Sequence, residues 1–288
     1  MEEKPERRGP RARFVQDRIH RRVRSVLFFY SPPFFRMGAH CIMNKAVLTI
    51  SFGTSCADAA QSCILPVEQA LGAAFGDWPV FRAYTSRMIV RKLRDQGQEI
   101  ELETEAIARL LQAGYDPLCL ASTHIIPGEE YELAASAAGS LKLSEPLLCS
   151  EDDLDWMASL LGGLAREEGR PLVMMGHGTE HAADGIYARL REKLPKGEVF
   201  LACVEGAHTL DSILDGLKAL PEKRVSLMPL MLVAGDHARN DLAGDGPDSW
   251  KSILQNLGFE VKVRMQGLGA LGPVQRRFVE KVRKILPQ

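Results

Sequence analysis

From Lys45 onward, short apolar runs alternate with stretches in which apolar residues recur every three or four positions. Ala46 to Phe52 (AVLTISF) predicts a buried strand ending at Gly53. Between Cys56 and Phe75, residues Ala59, Ala60, Cys63, Ile64, Val67, Ala70, Leu71 and Ala74 fall on one helical face. Val80–Tyr84 and Pro117–Ser122 predict further strands, and 141–148 a weaker fourth. Helices are expected after the second strand through Leu93 and around Ala106, Ile107, Leu110 and Leu111, the latter stopped by Gly114. Ser150 with Asp153 forms a capping-box start for a helix to about Glu168. The pattern then begins again. Strands are predicted at Leu172–Met175, Val199–Val204, Val225–Leu230 and Val261–Met265. The helices between and after them are His181–Leu194, 208–219, Trp250–Leu257 and 274–285. Strands alternating with helices imply an α/β protein with parallel sheets covered on both faces.

The two halves resemble each other. Phe52-Gly53-Thr54 and His177-Gly178-Thr179 each follow a first strand, 125 positions apart. Val80-Phe81-x-Ala83 matches Val199-Phe200-x-Ala202 at an offset of 119, which sets Ser86 opposite Glu205. Ile126-Pro127-Gly128-Glu129-Glu130 matches Val233-Ala234-Gly235-Asp236-His237 at an offset of 107. Three matches in one order, each at a strand's end, predict two similar doubly wound lobes with a cleft between them. The expected boundaries are 44–168 and 169–288.

Ligands of open α/β sheets bind beyond the carboxyl ends of the strands. At the matched ends the first half offers Phe52, Ser86 and Glu130; the second offers His177, Glu205 and His237. Two imidazoles and a carboxylate suit a borderline divalent ion such as Co2+, Fe2+, Ni2+ or Zn2+. Three protein ligands leave coordination positions open, as a working site requires, and the imidazoles can also act as bases. Singly, each residue has a plainer explanation: His177 a hydrogen-bonded turn, His237 a helix start, Glu205 a helix cap. Their joint appearance at equivalent strand ends favours a site. His181 is expected on the following helix, His208 at a helix start or surface, and His20 and His40 fall in the N-terminal extension.

Bulk properties exclude more than they specify. A formal charge of -1 speaks against a nucleic-acid-binding surface. No stretch approaches the ~18 apolar residues of a membrane span. Six cysteines without a C-x-x-C pair read as reduced thiols, which suits the cytoplasm. No G-x-S-x-G elbow, P-loop or G-x-G-x-x-G after the first strand is present, and no organic cofactor is expected. Residues 1–25 carry nine Lys or Arg, and the apolar run Val26–Tyr30 is too short for a secretory signal. Residues 1–43 are expected to be a disordered extension or a misassigned start, with Met43 the natural initiator.

The segments KAVLTISFGTS (45–55), STHIIPGEEYE (122–132), MGHGTEHAAD (175–184), ACVEG (202–206) and MPLMLVAGDHARNDLAGD (228–245) resemble the sirohydrochlorin cobaltochelatases of the anaerobic cobalamin pathway. The resemblance runs from about residue 44 to the end. It implies a bilobal chelatase fold, with sirohydrochlorin bound between the lobes and Co2+ as substrate metal. It also implies His177 as ligand and proton acceptor, with Glu205 and His237 as the other metal ligands. The substrate's carboxylates would favour nearby basic groups. Arg82, Arg87 and Arg91 after the second strand are candidates, although a solvated helix face explains them equally well. Phe52 and His124, also at strand ends, are expected to line the cleft. Iron or nickel insertion by the same site, or a bilobal haem- or metal-binding protein without turnover, are the competing readings. A homo-oligomer is compatible with the sequence and not required by it.

Overall fold

A computed structural model of the protein describes residues 44–286. The expectations for residues 1–43 lie outside the described residues. Two parallel sheets organise the chain. The first contains β1 (Asn44–Ser51), β2 (Val80–Tyr84) and β3 (Tyr115–Ser122) in the order β2-β1-β3. The second contains β4 (Leu172–Gly176), β5 (Val199–Cys203), β6 (Arg224–Pro229) and β7 (Glu260–Val263) in the order β5-β4-β6-β7. Burial explains the unbroken apolar runs. β1 and β4 are central strands, and Ala46–Ser51 and Leu172–Gly176 are buried on both faces. β7, at an edge, has no fully buried residue.

The internal repeat is real in the backbone. Beyond the paired strands, Ser86 N–H donates to the Phe52 carbonyl at 3.3 Å and Glu205 N–H to the His177 carbonyl at 2.9 Å. Thr123 donates to Ile50, and Leu230 to Met175, at the offsets found in sequence. Gly53 and Gly178 both take left-handed φ, +97° and +82°.

The expected fourth strand at 141–148 does not form. Only a single parallel bridge joins Leu143 to Leu120, at the place β7 occupies beside β6 in the second sheet. Two backbone hydrogen bonds hold it, from Leu120 to Lys142 and from Ser144 to Leu120. Pro146 follows and has no N–H to extend the ladder.

Nine α-helices are described besides short turns: α1 (Leu65–Phe75), α2 (Arg87–Asp95), α3 (Glu103–Gln112), α4 (Glu129–Ala138), α5 (Glu151–Glu168), α6 (Gly185–Lys193), α7 (Asp211–Lys218), α8 (Trp250–Asn256) and α9 (Gly272–Arg283). π-helical segments at Ala60–Ile64 and Ala238–Leu242 interrupt the pattern. The helix expected from Cys56 is thus split into Ala57–Ala59, a π segment and α1. Helix packing crosses the 168/169 division. α5 packs on β4, β5 and α6, whereas the C-terminal α9 packs on α1 and β3. One apolar core accordingly runs through both sheets, from Val47 and Leu71 through Leu161 and Met174 to Phe278.

A buried ionic network ties α9 to the start of α5. The Asp153 side chain is 1% exposed and that of Lys281 2%. Lys281 Nζ reaches Asp153 Oδ2 at 2.8 Å, and Arg277 Nη2 reaches Asp153 Oδ1 at 2.8 Å. The backbone N–H groups of Cys149 and Ser150 donate to the same carboxylate, both at 3.1 Å, completing the predicted capping box. Burial alone would raise the Asp153 carboxyl, but the hydrogen bonds from Lys281, Arg277 and Cys149 outweigh it. They hold it well below the usual carboxylate range.

Asp153→Ala leaves Lys281 buried without its counterion and is expected to destabilise the protein by about 3–5 kcal/mol in urea unfolding at pH 7. The depressed carboxyl contributes stability above the ordinary carboxylate range, and that contribution disappears as pH falls toward its folded value. The gap between wild type and variant should therefore narrow below about pH 4. A gap independent of pH would mean that the lost contact is packing rather than charge.

Candidate functional site

In a sheet ordered 2-1-3 the connections reverse direction between the first and third strands, and a crevice opens at their carboxyl ends. In the second sheet these strands are β4 and β6. His177 directly follows β4, and His237 stands at the start of the helical turn that follows the loop after β6, so both imidazoles arise at that switch point. Their ring centroids are 4.8 Å apart, edge to face. Glu205, from the loop after β5, brings Oε2 to 4.0 Å from His177 Nδ1. All three predicted residues are therefore neighbours, and all are partly open to solvent: 46%, 58% and 44% exposed for His177, Glu205 and His237. Among the described residues, no three His, Cys, Asp or Glu side chains are gathered closely enough to hold an ion as they stand.

The loops are shaped for this approach. A Cβ on Gly178 would fall 1.9 Å from the Glu205 carbonyl oxygen, so only glycine lets the two loops meet there. Beneath them, Tyr187 is buried and packs its ring against the end of β4, where a Cβ on Gly176 would fall 2.9 Å from it. Burial pushes that phenol well above its ordinary value. Asp184 joins the two loops by accepting from Thr179 N–H at 3.3 Å and Ala207 N–H at 3.4 Å.

Hydrogen bonds also set which ring nitrogens are free. His177 Nδ1 lies 2.9 Å from the Gly178 carbonyl, which can only accept, so Nδ1 carries the proton. His237 Nδ1 lies 2.6 Å from Asp241 Oδ2, with the same consequence. In the neutral form of each ring the lone pair therefore lies on Nε2. His181 is the reverse case. Its Nδ1 accepts from Ala183 N–H as a helix cap, and Nε2 faces Glu132 at 3.2 Å. It sits at the N-cap of the short turn Ala182–Asp184 rather than on the helix where it was expected.

Several contacts bring the first lobe to the site. Cys56 Sγ–H donates to Asp236 Oδ1 at 3.4 Å, next to His237, and Asp58 pairs with Arg239. Phe52, matched to His177, is 43% exposed, and Met88 at the start of α2 is 75% exposed. Arg87 and Arg91 are exposed as well. Arg82 is not available: its guanidinium is paired with Glu68, Nε to Oε1 at 2.6 Å and Nη2 to Oε2 at 2.5 Å. This engagement corrects the docking role expected of it. His124 differs too. It is 7% exposed, beneath the 147–148 segment whose N–H groups bond the carbonyls of His124 and Ile125. Burial lowers its imidazole to about 4. It packs inside the lobe rather than lining an open cleft. Asp241, Tyr187 and Asp184 were not anticipated. Only Asp241 carried a signal, its spacing of four from His237.

Two open parallel sheets, joined through one core and presenting imidazoles and a carboxylate at a switch point, define a chelatase-type α/β protein. Solved structures agree on the fold. SirB from Bacillus subtilis with Fe3+ superposes with a TM-score of 0.56 at 15% identity, covering 84% of this chain and 96% of that one. The sirohydrochlorin chelatase SirB from Bacillus subtilis subspecies spizizenii, in complex with cobalt, gives 0.52 at 17% identity, covering 84% and 95%. The family model described as Cobalt chelatase (CbiK) matches residues 45–286, and the chain belongs to that family. The sirohydrochlorin cobaltochelatase of Salmonella typhimurium is 36% identical over 258 residues, 85% of this chain and 97% of that protein. The sirohydrochlorin cobaltochelatase CbiKC of Nitratidesulfovibrio vulgaris is 32% identical over 230 residues, 75% and 81%.

Gly114 provides a control for Gly178. Its φ is +81°, but a Cβ there meets nothing within 4 Å. Gly114→Ala is expected to cost about 1 kcal/mol from backbone strain alone. Gly178→Ala should cost distinctly more in the same urea unfolding measurement, because a backbone oxygen must also move. Equal costs would show that the Glu205 loop yields freely.

Proposed function

We propose that this protein is a sirohydrochlorin cobaltochelatase: Co2+ and sirohydrochlorin give cobalt-sirohydrochlorin and two protons. The observation that carries the reading is the approach of His177 and His237 to 4.8 Å, with Glu205 beside them, at the switch point of the second sheet. Metallation has to strip water from the ion and remove two protons from pyrrole nitrogens. Imidazole nitrogen with a free lone pair suits a borderline metal and can also accept a proton, while a carboxylate offsets the ion's charge. In this reading His177, Glu205 and His237 hold the incoming Co2+, and His177 takes a pyrrole proton. The site's openness suits an ion that must be released into the macrocycle. No organic cofactor enters the reaction.

The tetrapyrrole lies between the lobes. Phe52 and Met88 offer apolar surface to its face, and Arg87 meets its peripheral carboxylates. The five described cysteines are all free, in keeping with a reducing cytoplasm.

Anaerobic incubation of sirohydrochlorin with Co2+, followed by absorbance, tests the activity, with Fe2+ and Ni2+ run in parallel. His177→Ala and His237→Ala should each lower the enzyme-dependent rate by at least about 100-fold while the fold survives. Wild-type rates in either variant would remove the proposed site. Arg87→Ala should raise KM for sirohydrochlorin and leave kcat near wild type. A fall in kcat at unchanged KM would place Arg87 outside substrate docking.

A further inference from the structure

We infer that Asp241 is a positioning residue for metal capture: its carboxylate holds His237 so that Nε2 is the coordinating nitrogen. The inference rests on the reading that His237 is a metal ligand, and it concerns a residue outside the proposed ligand set.

Three observations lead to it. The first is the contact itself, His237 Nδ1 to Asp241 Oδ2 at 2.6 Å, short for a nitrogen–oxygen hydrogen bond. An ionised carboxylate only accepts, so the bond places the ring proton on Nδ1 and leaves the lone pair on Nε2. The second is that this is the one hydrogen bond made by the Asp241 side chain among the described residues. It caps no helix and pairs with no Lys or Arg there, so packing gives no other reason for an acid at this position. The third is the contrast with His177. Its Nδ1 is fixed by a main-chain carbonyl, that of Gly178 at 2.9 Å. The two rings are thus given the same tautomer by different means, and only that of His237 depends on a side chain.

Local structure makes the pairing possible. His237 immediately precedes the π-helical segment Ala238–Leu242, and Asp241 lies four residues on, where side chains of a helical turn meet. The ring stands edge to face with His177, so its rotation sets where its Nε2 points relative to the partner imidazole. A free imidazole at a half-exposed helix start would sample both tautomers and several rotamers. A carboxylate behind the ring confines it to one, and the loss of such a partner typically costs about 10–100-fold in metal affinity or activity.

The test is titration of the full-length protein with Co2+ alone, by calorimetry and visible absorbance, for wild type, Asp241→Asn, Asp241→Ala and His237→Ala. Asp241→Ala should bind Co2+ about 10–100-fold more weakly. Asp241→Asn, whose amide oxygen still accepts the Nδ1 proton, should fall between it and wild type. In the chelation assay kcat should drop while KM for sirohydrochlorin and the thermal unfolding midpoint stay at wild-type values. If Asp241→Ala keeps Co2+ affinity within about twofold while His237→Ala loses it, the positioning role is wrong and the ligand reading stands. If His237→Ala also keeps its affinity, the ligand reading fails and takes this inference with it. Weaker Co2+ binding that tracks a lowered unfolding midpoint in both Asp241 variants would make Asp241 a merely structural residue.

Discussion

Glu205 gives its backbone N–H to the carbonyl of His177 at 2.9 Å, one step past the last paired residues of β4 and β5. The bond is an extension of the parallel ladder into the loops, and the geometry around the site follows from it. It fixes the distance between the two loops, and that distance forbids any side chain at Gly178. It aims the His177 and Glu205 side chains from one rigid sheet edge, where a few tenths of an ångström separate a ligand pair from two solvated groups. Asp184 then ties the two loops together from the side, and the buried Tyr187 ring packs beneath the end of β4.

The same ladder extension occurs in the first lobe between Ser86 and Phe52, where it holds no comparable chemistry. The scaffold is therefore indifferent to function, and the two lobes differ by what stands on equivalent positions. An exposed phenylalanine occupies one and a histidine the other. A flat macrocycle with polar edges needs both an apolar face to rest on and donors to receive a metal. The two halves carry these different groups at equivalent strand ends. Contacts from Cys56 to Asp236, Asp58 to Arg239 and Glu132 to His181 link the lobes close to the candidate ligands. Their separation is thereby coupled to where His237 sits.

Much of this was legible in the sequence, for physical reasons. Central parallel strands are apolar on both faces, so β1 and β4 stood out as runs, and the repeat located strand ends without any geometry. Some features were hidden because they depend on partners distant in sequence. Arg82 looked like a free cation until Glu68, on α1, was seen to hold it. His124 looked like a strand-end group facing a cleft, yet the failed strand at 141–148 folds over it. Residues 141–148 misled because Leu143 does sit where a fourth strand would pair, but makes one bridge and stops. Asp153 was recognised as a cap, while its pairing with Lys281 spans 128 positions and leaves no local trace. α4 escaped notice because its small residues, Ala134 to Ala138, make a weak apolar stripe.

The openness of the candidate site bears on what kind of metal site it can be. A structural ion is enclosed by a full set of anchored ligands, and its release is slow. Here each of the three groups is near half exposed, and among the described residues no three donors close around an ion as they stand. Such a set favours arrival and departure over retention. The imidazoles are nevertheless not loose, since each Nδ1 is tied back and each Nε2 is left free. Rigid orientation with incomplete enclosure is the combination a transfer site requires. Under the proposed ligand assignment, the ion is received in a defined direction, and the stronger chelate of four pyrrole nitrogens can then take it away.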